Sequence, residues 1–356
     1  MKLLVVTADQ GIAPDGTKGA AVHLRALVAA LRTLGHSVTL ATRRAPANPV
    51  QGWRPFDSAN AAQLLEDTAA DAVIERCSIG HVAMLDACMA AEVPFALELN
   101  APLLLEAAEH RGRAITPAER AAELRLLREA SLILAVSHPL AAWAARLRGR
   151  SNGVEVHPNG ADAALHPEPA RLAAEPPRLV FLGNARPWHG AGRLVPLARS
   201  LAEADVPFEV RIIGGGSGAE AVMASAAEAG LAAHFSCTGA LSERDAAREL
   251  DAATLMIAPY PPAEFFWFCP LKLVQAAMAG VPVVTSDIGD LPGLVGPGGL
   301  LVPAGDDAAL VTATRWLLQD PLLRAKLGAA ARARALASCT WDHVARRVVD
   351  SIQRLT

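Results

Sequence analysis

The sequence predicts an α/β protein made of two Rossmann-like domains whose parallel sheets face each other across a cleft. Short apolar runs alternate with helical patterns in two successive blocks, which is typical of parallel strands buried on both faces. The chain has 356 residues, about twice the usual length of one domain. Hydrophobic residues make up 52% of it and charged residues 19%, which excludes a disordered chain.

The first block begins with a strand over Leu3–Thr7, a glycine-containing loop and a helix from about Ala20 to Leu34. Gly35 and His36 end that helix. Four later apolar runs predict further strands, each followed by a helical stretch or a loop: Ser37–Thr42, Ala72–Glu75, Phe95–Leu99 and Leu132–Val136.

The second block repeats this alternation, with five predicted strands: Leu179–Leu182, Val210–Ile213, Leu255–Ala258, Val281–Thr285 and Leu300–Val302. Between the blocks, His157–Gly160 and a Pro/Glu/Ala-rich stretch to Pro177 lack apolar periodicity and predict a linker. We therefore predict an N-terminal domain over 1–160, a C-terminal domain over 161–335, and a C-terminal helix over 336–356 that crosses back to the first domain.

Charge and cysteine content exclude several classes of protein. The net charge of −3 provides no basic surface of the kind that nucleic-acid binding requires. The five cysteines form no C-x-x-C pair, which favours reduced thiols in a cytoplasmic protein over a disulfide framework or a zinc site. Asp9 interrupts the apolar start too early for a signal peptide, and no uncharged apolar run approaches the ~20 residues of a membrane helix. The sequence does not indicate an oligomeric state.

Two glycine-containing loops are candidate phosphate sites. In Gly16–His23, small residues would let backbone N–H groups approach an anion at a helix N-terminus, and Lys18 adds a positive charge. An ordinary βα turn fits the same residues, and His23 is equally consistent with a structural role. Ile212–Gly218 has four glycines after a strand, as close phosphate approach requires, but lacks the G-x-G-x-x-G spacing of nicotinamide sites.

The most informative stretch runs from Ala258 to Asp287. A strand ends in a rigid, aromatic-rich proline loop, and a helix begins near Pro270 and ends at Gly280. Lys272 and Gln275 lie three residues apart, on one face of that helix. A rigid loop at a helix N-terminus facing a cleft is suited to an anion and a sugar.

Seven motifs together carry a family resemblance: Gly19–His23, Gly35–Thr39, Pro158–Asp162, Phe181–Gly183, Pro187–Gly190, Pro270–Leu273 and Ala279–Val284. Over almost its whole length the chain resembles the retaining GT-B glycosyltransferases of family four (the group 1 type). It is most similar to a subgroup with P-W-H-G and P-L-K-L motifs.

This resemblance implies a nucleotide-diphosphate sugar donor held mainly by the C-terminal domain and an acceptor held by the N-terminal domain. It also implies transfer with retention of anomeric configuration, without a metal or another cofactor. The absence of any D-x-D tripeptide fits a metal-free site. Backbone amides and cationic side chains would then stabilise the leaving diphosphate. A soluble small molecule or a saccharide is the expected acceptor, because the sequence shows no membrane-docking helix.

Carrying the family pattern over residue by residue shows departures in the donor site. The two glutamates that frame the donor in the family correspond to Trp267 and Gln275, and Glu264 lies one turn before the first. The family's arginine and lysine correspond to Asn184 and His189. The predicted catalytic residues are therefore Lys272, Arg186 and, if protonated, His189. The predicted donor-binding residues are Gly19, Gly183, Asn184, Gly214, Gly215, Gly216, Glu264, Trp267, Phe268, Cys269, Pro270, Leu271 and Gln275.

Polar residues just after the strands of the first block are the acceptor candidates. Glu98 and Asn100 lie at the end of one strand, although capping of the next helix explains them equally well. The remaining candidates are Lys18, His23, His81 and His138. Two other functions stay open at this point. The four donor-site departures favour a non-catalytic GT-B paralogue that binds or regulates a partner, and a sugar-nucleotide epimerase or hydrolase on the same scaffold would need an acid/base pair.

Overall fold

The computed structural model describes residues 1–170 and 174–355, and these form two compact units. The first unit comprises residues 1–159, Trp267–Cys269 and the described residues from Trp341 onward. The second comprises the described residues of 160–266 and 270–340. The prediction had placed residues 161–335 in one domain, but Trp267–Cys269 belong to the first unit. Residues 171–173 of the predicted linker lie outside the described residues.

The described part of the first unit contains a seven-stranded parallel sheet in the order β3-β2-β1-β4-β5-β6-β7. Its strands are β1 (Lys2–Thr7), β2 (Ser37–Thr42), β3 (Trp53–Pro55), β4 (Ala72–Arg76), β5 (Phe95–Leu99), β6 (Leu132–Ala135) and β7 (Val154–Val156). β1 pairs with β2 on one side and with β4 on the other, so the order of the strands reverses between β1 and β4.

Seven helices accompany this sheet within the described residues. They are α1 (Gly19–Thr33), α2 (Ala61–Thr68), α3 (Ala83–Ala90), α4 (Leu103–Arg111), α5 (Pro117–Glu129), α6 (His138–Arg148) and α14 (Trp341–Gln353). The buried leucines and alanines of α1 recur at helical spacing, as its amphipathic sequence requires. The last helix, α14, packs against α1, the first helix of the chain.

The described part of the second unit contains a six-stranded parallel sheet in the order β10-β9-β8-β11-β12-β13. Its strands are β8 (Arg178–Leu182), β9 (Glu209–Ile213), β10 (Phe235–Cys237), β11 (Leu255–Ala258), β12 (Val283–Asp287) and β13 (Gly299–Pro303). Its helices are α7 (Leu194–Glu203), α8 (Ser217–Glu228), α9 (Glu243–Asp251), α10 (Leu271–Ala279), α11 (Leu291–Val295), α12 (Asp307–Gln319) and α13 (Pro321–Ser338). The predicted α/β class with two Rossmann-like parallel sheets is confirmed.

Three observed strands were missing from the sequence prediction: β3, β7 and β10. Each has only three residues, and each is an edge strand of its sheet. A three-residue strand is too short to show a periodic pattern, and an edge strand has only one neighbour. Among the described residues, no helix combines the length and apolarity needed to span a bilayer.

Candidate active site

The strand order locates the ligand-binding edge of the second sheet. β8 lies between β9 and β11, so the order reverses between β8 and β11. In open parallel sheets, ligands bind beyond the carboxyl ends of the strands at this switch point. The loop that starts at Gly183 follows β8, and the chain after β11 leads into α10, which carries Lys272. Lys272 therefore lies on the helix that follows β11, one of the two strands between which the order reverses.

The helix that carries Lys272 is bounded by local sequence signals. Pro270, with φ of −69°, precedes the first helical residue, Leu271, and so occupies the N-cap position. The sequence had predicted Pro270 itself as the first helical residue, so the helix begins one residue later. Gly280 ends the helix with φ of +75°, a conformation that glycine adopts without strain. The proline and the glycine thus determine the length of α10 and the position of Lys272 in its first turn.

Lys272 is buried without a counter-ion. The residue is 9% exposed, and its Nζ has no hydrogen-bond partner among the described residues. Nζ lies 4.1 Å from the centre of the Phe181 ring and 5.9 Å from that of Tyr260. Burial lowers the pKa of Lys272 to about 7. An unpartnered buried amine indicates a site for an anionic ligand.

Two predicted donor-binding glycines, Gly183 after β8 and Gly214 after β9, approach each other closely in this region. A Cβ atom on Gly183 would lie 3.9 Å from Nζ of Lys272, and one on Gly214 would lie 2.7 Å from the carbonyl oxygen of Gly183. Gly214 donates its N–H to Oγ1 of Thr238 at 3.1 Å, and Gly183 donates to the carbonyl of Ile213. The N–H groups of Gly183 and Gly214 are thus already bonded. Contact with a phosphate through Gly215 and Gly216, at the start of α8, stays a prediction.

The protonation state of His189 differs from the one considered in the sequence analysis. Its Nδ1 lies 2.6 Å from the carbonyl oxygen of Asn184, so Nδ1 carries the proton. Burial, together with the charges of Lys272 and Arg186, lowers the pKa of His189 to about 3. The ring is therefore neutral in the ligand-free protein, and the expectation of a protonated His189 is wrong for this state. A catalytic role for the neutral ring stays a prediction.

The other predicted catalytic and donor-binding residues of the second unit differ in their exposure. Arg186 is exposed, with its guanidinium carbon 5.9 Å from the centre of the Trp188 ring. Gln275 is half-buried on α10, and Pro270 and Leu271 are half-buried at its start. Asn184 and Glu264 are exposed. Lys272 is thus the buried basic residue of this set, whereas Arg186 is exposed to water, which screens its charge.

Gly190 provides a test of the turn that holds His189. Its φ is +73°, and a Cβ atom there would lie 1.9 Å from the carbonyl oxygen of Pro259. We expect Gly190→Ala to lower the free energy of unfolding by at least about 2 kcal/mol. Gly192→Ala is the matched control, because its Cβ would meet nothing within 4 Å, and its effect should stay within about 0.5 kcal/mol. Equal losses for both variants in denaturant titrations would contradict this packing.

The segment Trp267–Cys269 is bonded within the first unit. Ser137 Oγ donates to the carbonyl oxygen of Trp267 at 2.7 Å. Asn159 Nδ2 donates to the carbonyl oxygen of Cys269 at 2.6 Å, and the Asn159 N–H donates to Cys269 Sγ at 3.3 Å. Trp267 is 3% exposed, with its ring 4.8 Å from that of Phe268. A donor-binding role for Trp267, Phe268 and Cys269 stays a prediction, and Asn159, which holds them, was not among the predicted site residues.

His23 and Glu98 form a buried ion pair in the first unit. His23 Nε2 lies 2.5 Å from Glu98 Oε1, and its Nδ1 lies 2.7 Å from Asn159 Oδ1. Both ring nitrogens of His23 thus lie within hydrogen-bond distance of side-chain oxygen atoms. Burial by itself raises the pKa of Glu98, but His23, Arg76 and Asn100 outweigh it and hold the pKa at about 2. Since these groups already bind one another, their contact with an acceptor stays a prediction.

The remaining acceptor candidates follow strands β1, β4, β5 and β6 of the first sheet. His81 accepts a hydrogen bond from Arg43, and burial with the Arg43 charge lowers its pKa, so its ring is neutral. Lys18 is exposed and precedes Gly19, the first residue of α1. His138 is exposed at the first position of α6, and Asn100 is half-buried after β5. The structure brings Asn100 close enough to Glu98 to act on its pKa.

Several relevant residues were not among the predicted site residues. The rings of Phe181 and Tyr260 lie beside Nζ of Lys272. The one signal for this contact in the sequence was the position of Phe181, two residues before Gly183. Glu75, at the carboxyl end of β4, is 1% exposed, and burial raises its pKa to about 8. Its Oε2 has no hydrogen-bond partner among the described residues. Within residues 1–170 and 174–355, no three His, Cys, Asp or Glu side chains converge to hold a metal ion.

Two family models match consecutive parts of the chain. Residues 17–165 match the model described as Glycosyltransferase Family 4, and residues 176–320 match that described as Glycosyl transferases group 1. The chain is 32% identical to a phosphatidyl-myo-inositol mannosyltransferase of Mycobacterium leprae over 61% of its length, and 30% identical to the D-rhamnosyltransferase WbpZ of Pseudomonas aeruginosa over 59%. These matches span 57% and 56% of the relatives, a little over half of their length.

Solved structures share the fold across the whole chain. Sucrose-phosphate synthase from Thermosynechococcus elongatus superposes with a TM-score of 0.81 at 18% identity, covering 100% of this chain and 99% of that one. HepE of Anabaena, solved in complex with UDP-glucose, superposes with a TM-score of 0.78 at 18% identity, covering 99% of this chain and 100% of HepE. Identities this low establish the fold alone.

Proposed function

Because the chain belongs to the glycosyltransferases of the GT-B fold and the family-four type, we propose that it transfers a sugar from a nucleotide-diphosphate donor to an acceptor hydroxyl. In this proposal the anomeric configuration is retained and neither a metal nor another cofactor takes part. The observation that carries the proposal is the buried, unpartnered amine of Lys272 at the switch point of the second sheet.

The proposed chemistry needs a positive charge where the leaving group forms. When the bond between the anomeric carbon and the diphosphate oxygen breaks, negative charge builds up on the diphosphate. A bond to the acceptor oxygen forms on the same face of the sugar, and the acceptor hydroxyl gives its proton to the departing diphosphate. A buried cation stabilises such charge more strongly than an exposed one, because water does not screen it. Lys272 has that position, whereas Arg186 is exposed.

The donor and the acceptor are proposed from chemistry shared among similar proteins. HepE has been solved with UDP and with UDP-glucose, and one relative from Corynebacterium glutamicum is named as dependent on GDP-mannose. The names of other relatives include phosphatidyl-myo-inositol and D-inositol 3-phosphate. These share a ring that carries several hydroxyl groups, and we propose a hydroxyl of a small polyol or saccharide, bound by the first unit, as the acceptor.

The test is a donor panel on the purified protein. UDP-, GDP- and dTDP-sugars are added in turn, thermal unfolding is followed, and any co-purifying nucleotide is identified by mass spectrometry. At 100 times its dissociation constant, a bound donor adds about 2.7 kcal/mol of stability, which moves the transition by several degrees. We expect one nucleotide to give this shift and then to support sugar transfer. A well-folded protein that binds none of the three would overturn the proposal, and binding without transfer to any polyol or saccharide would favour the non-catalytic paralogue.

A further inference from the structure

The surroundings of Lys272 contain rings and neutral groups rather than a carboxylate. Phe181 of β8 and Tyr260, which follows β11, both present rings to Nζ. The ring of His189 is neutral, and a charge on Lys272 helps to lower its pKa. Gln275 on α10 carries no charge. Among the described residues, no ion pair includes Lys272. The amine therefore has no counter-ion of its own.

A charged amine in this position is costly without a ligand. The faces of aromatic rings attract a cation, but by only about 0.5–2 kcal/mol, less than the cost of removing an ammonium group from water. Burial accordingly lowers the pKa of Lys272 to about 7, so the neutral amine predominates in the free protein above pH 7. α13, which packs on α10, offers Arg332, but that guanidinium donates to the carbonyl oxygen of Met278, near the other end of α10.

We propose that the donor's diphosphate binds to Lys272 together with one proton taken up from solvent. This inference rests on the proposed function and adds how the site acquires its charge. The neutral –NH2 group and a solvent proton give –NH3⁺, whose N–H groups then bind the diphosphate oxygens. When the nucleotide product leaves, the proton returns to solvent.

The proposal explains how a site that lacks the family's arginine and lysine pair can bind a diphosphate. Asn184 and His189 occupy those positions, and neither is charged in the free protein. A single lysine that becomes charged only when an anion arrives avoids leaving a buried, uncompensated cation in the free enzyme. The consequence is a donor affinity that falls as the pH rises above 7.

Titration calorimetry tests this directly. UDP or GDP, whichever binds, is titrated into the full-length protein at pH 8.0 in HEPES and in Tris, which differ in their enthalpy of ionisation. With a free-state pKa of about 7, the two enthalpies should report an uptake of about 0.9 proton per site. Between pH 8 and pH 9 the dissociation constant should rise nearly tenfold. Equal enthalpies in both buffers would overturn the inference.

Lys272→Arg is the matched variant, because a guanidinium stays protonated in both the free and the bound protein. It should bind the nucleotide without proton uptake and without the tenfold change above pH 8. Uptake that persists in this variant would assign the proton to another group, with His189 the first to examine, and would overturn the inference for Lys272. If Lys272→Arg does not bind the nucleotide, the buffer and pH dependence of binding to the wild-type protein still tests the inference. Failure of UDP, GDP and dTDP to bind at any pH would instead count against the proposed function.

Discussion

Replacing Lys272 by methionine is expected to lower kcat/KM for the donor by roughly 10²–10³, the loss typical of removing one group that stabilises transition-state charge. Methionine is one atom shorter and fills most of the same apolar space, but it lacks the Nζ that faces the Phe181 and Tyr260 rings and cannot donate to a diphosphate. Initial rates over a range of donor concentrations, once the donor is known, measure this loss.

The same variant should unfold at a higher temperature than the wild type when no ligand is present. In the unfolded chain Lys272 has an ordinary pKa near 10.5, whereas folding lowers the pKa to about 7, so the buried amine costs stability at neutral pH. Activity lost with stability gained separates a functional lysine from a structural one. Lys326→Met, at an exposed lysine of α13, is the control and should change neither quantity. An unchanged rate in Lys272→Met would remove Lys272 from the active site and direct attention to Arg186.

Glu98→Gln should lower the free energy of unfolding by about 3 kcal/mol at pH 7, because it leaves His23 and Arg76 without their buried carboxylate. The folded pKa of Glu98 is about 2, below the usual value of 4.5. The ionised carboxylate therefore contributes stability that is present above about pH 4.5 and is lost as the pH falls towards 2. Denaturant titrations of wild type and variant should consequently converge in strong acid.

Glu75→Gln is the matched substitution, at a buried carboxyl on the neighbouring strand of the same sheet, and it should act in the opposite direction. The pKa of Glu75 is raised to about 8 by burial, so folding stabilises its protonated form. That contribution is complete below pH 4.5 and is lost progressively as the pH rises to 8. Glutamine cannot ionise, so the variant should gain stability over the wild type across this range. Parallel pH profiles for Glu75→Gln and Glu98→Gln would contradict the assignment of opposite charge states.

The sequence by itself predicted the elements that depend on local pattern. Ten of the strands appeared as apolar runs, because a strand buried on both faces needs a continuous apolar stretch. Pro270 and Gly280 predicted the ends of α10, because backbone restrictions at proline and glycine act within one or two residues. The strand alternation placed Gly214 after the end of its strand, and the family resemblance selected Gly183 and Lys272 as candidates.

Only the tertiary structure decided the charge state and the partners of the candidate residues. Glu75 and Glu98 are both glutamates near the ends of neighbouring strands, yet one is largely protonated at neutral pH and the other is held ionised by His23, 75 residues away in sequence. A protonated His189 was one option from the sequence, whereas its ring is neutral in the structure. Trp267–Cys269 belong to the first unit although the surrounding chain belongs to the second. Desolvation and long-range contacts determine these properties, and neither leaves a pattern in neighbouring residues.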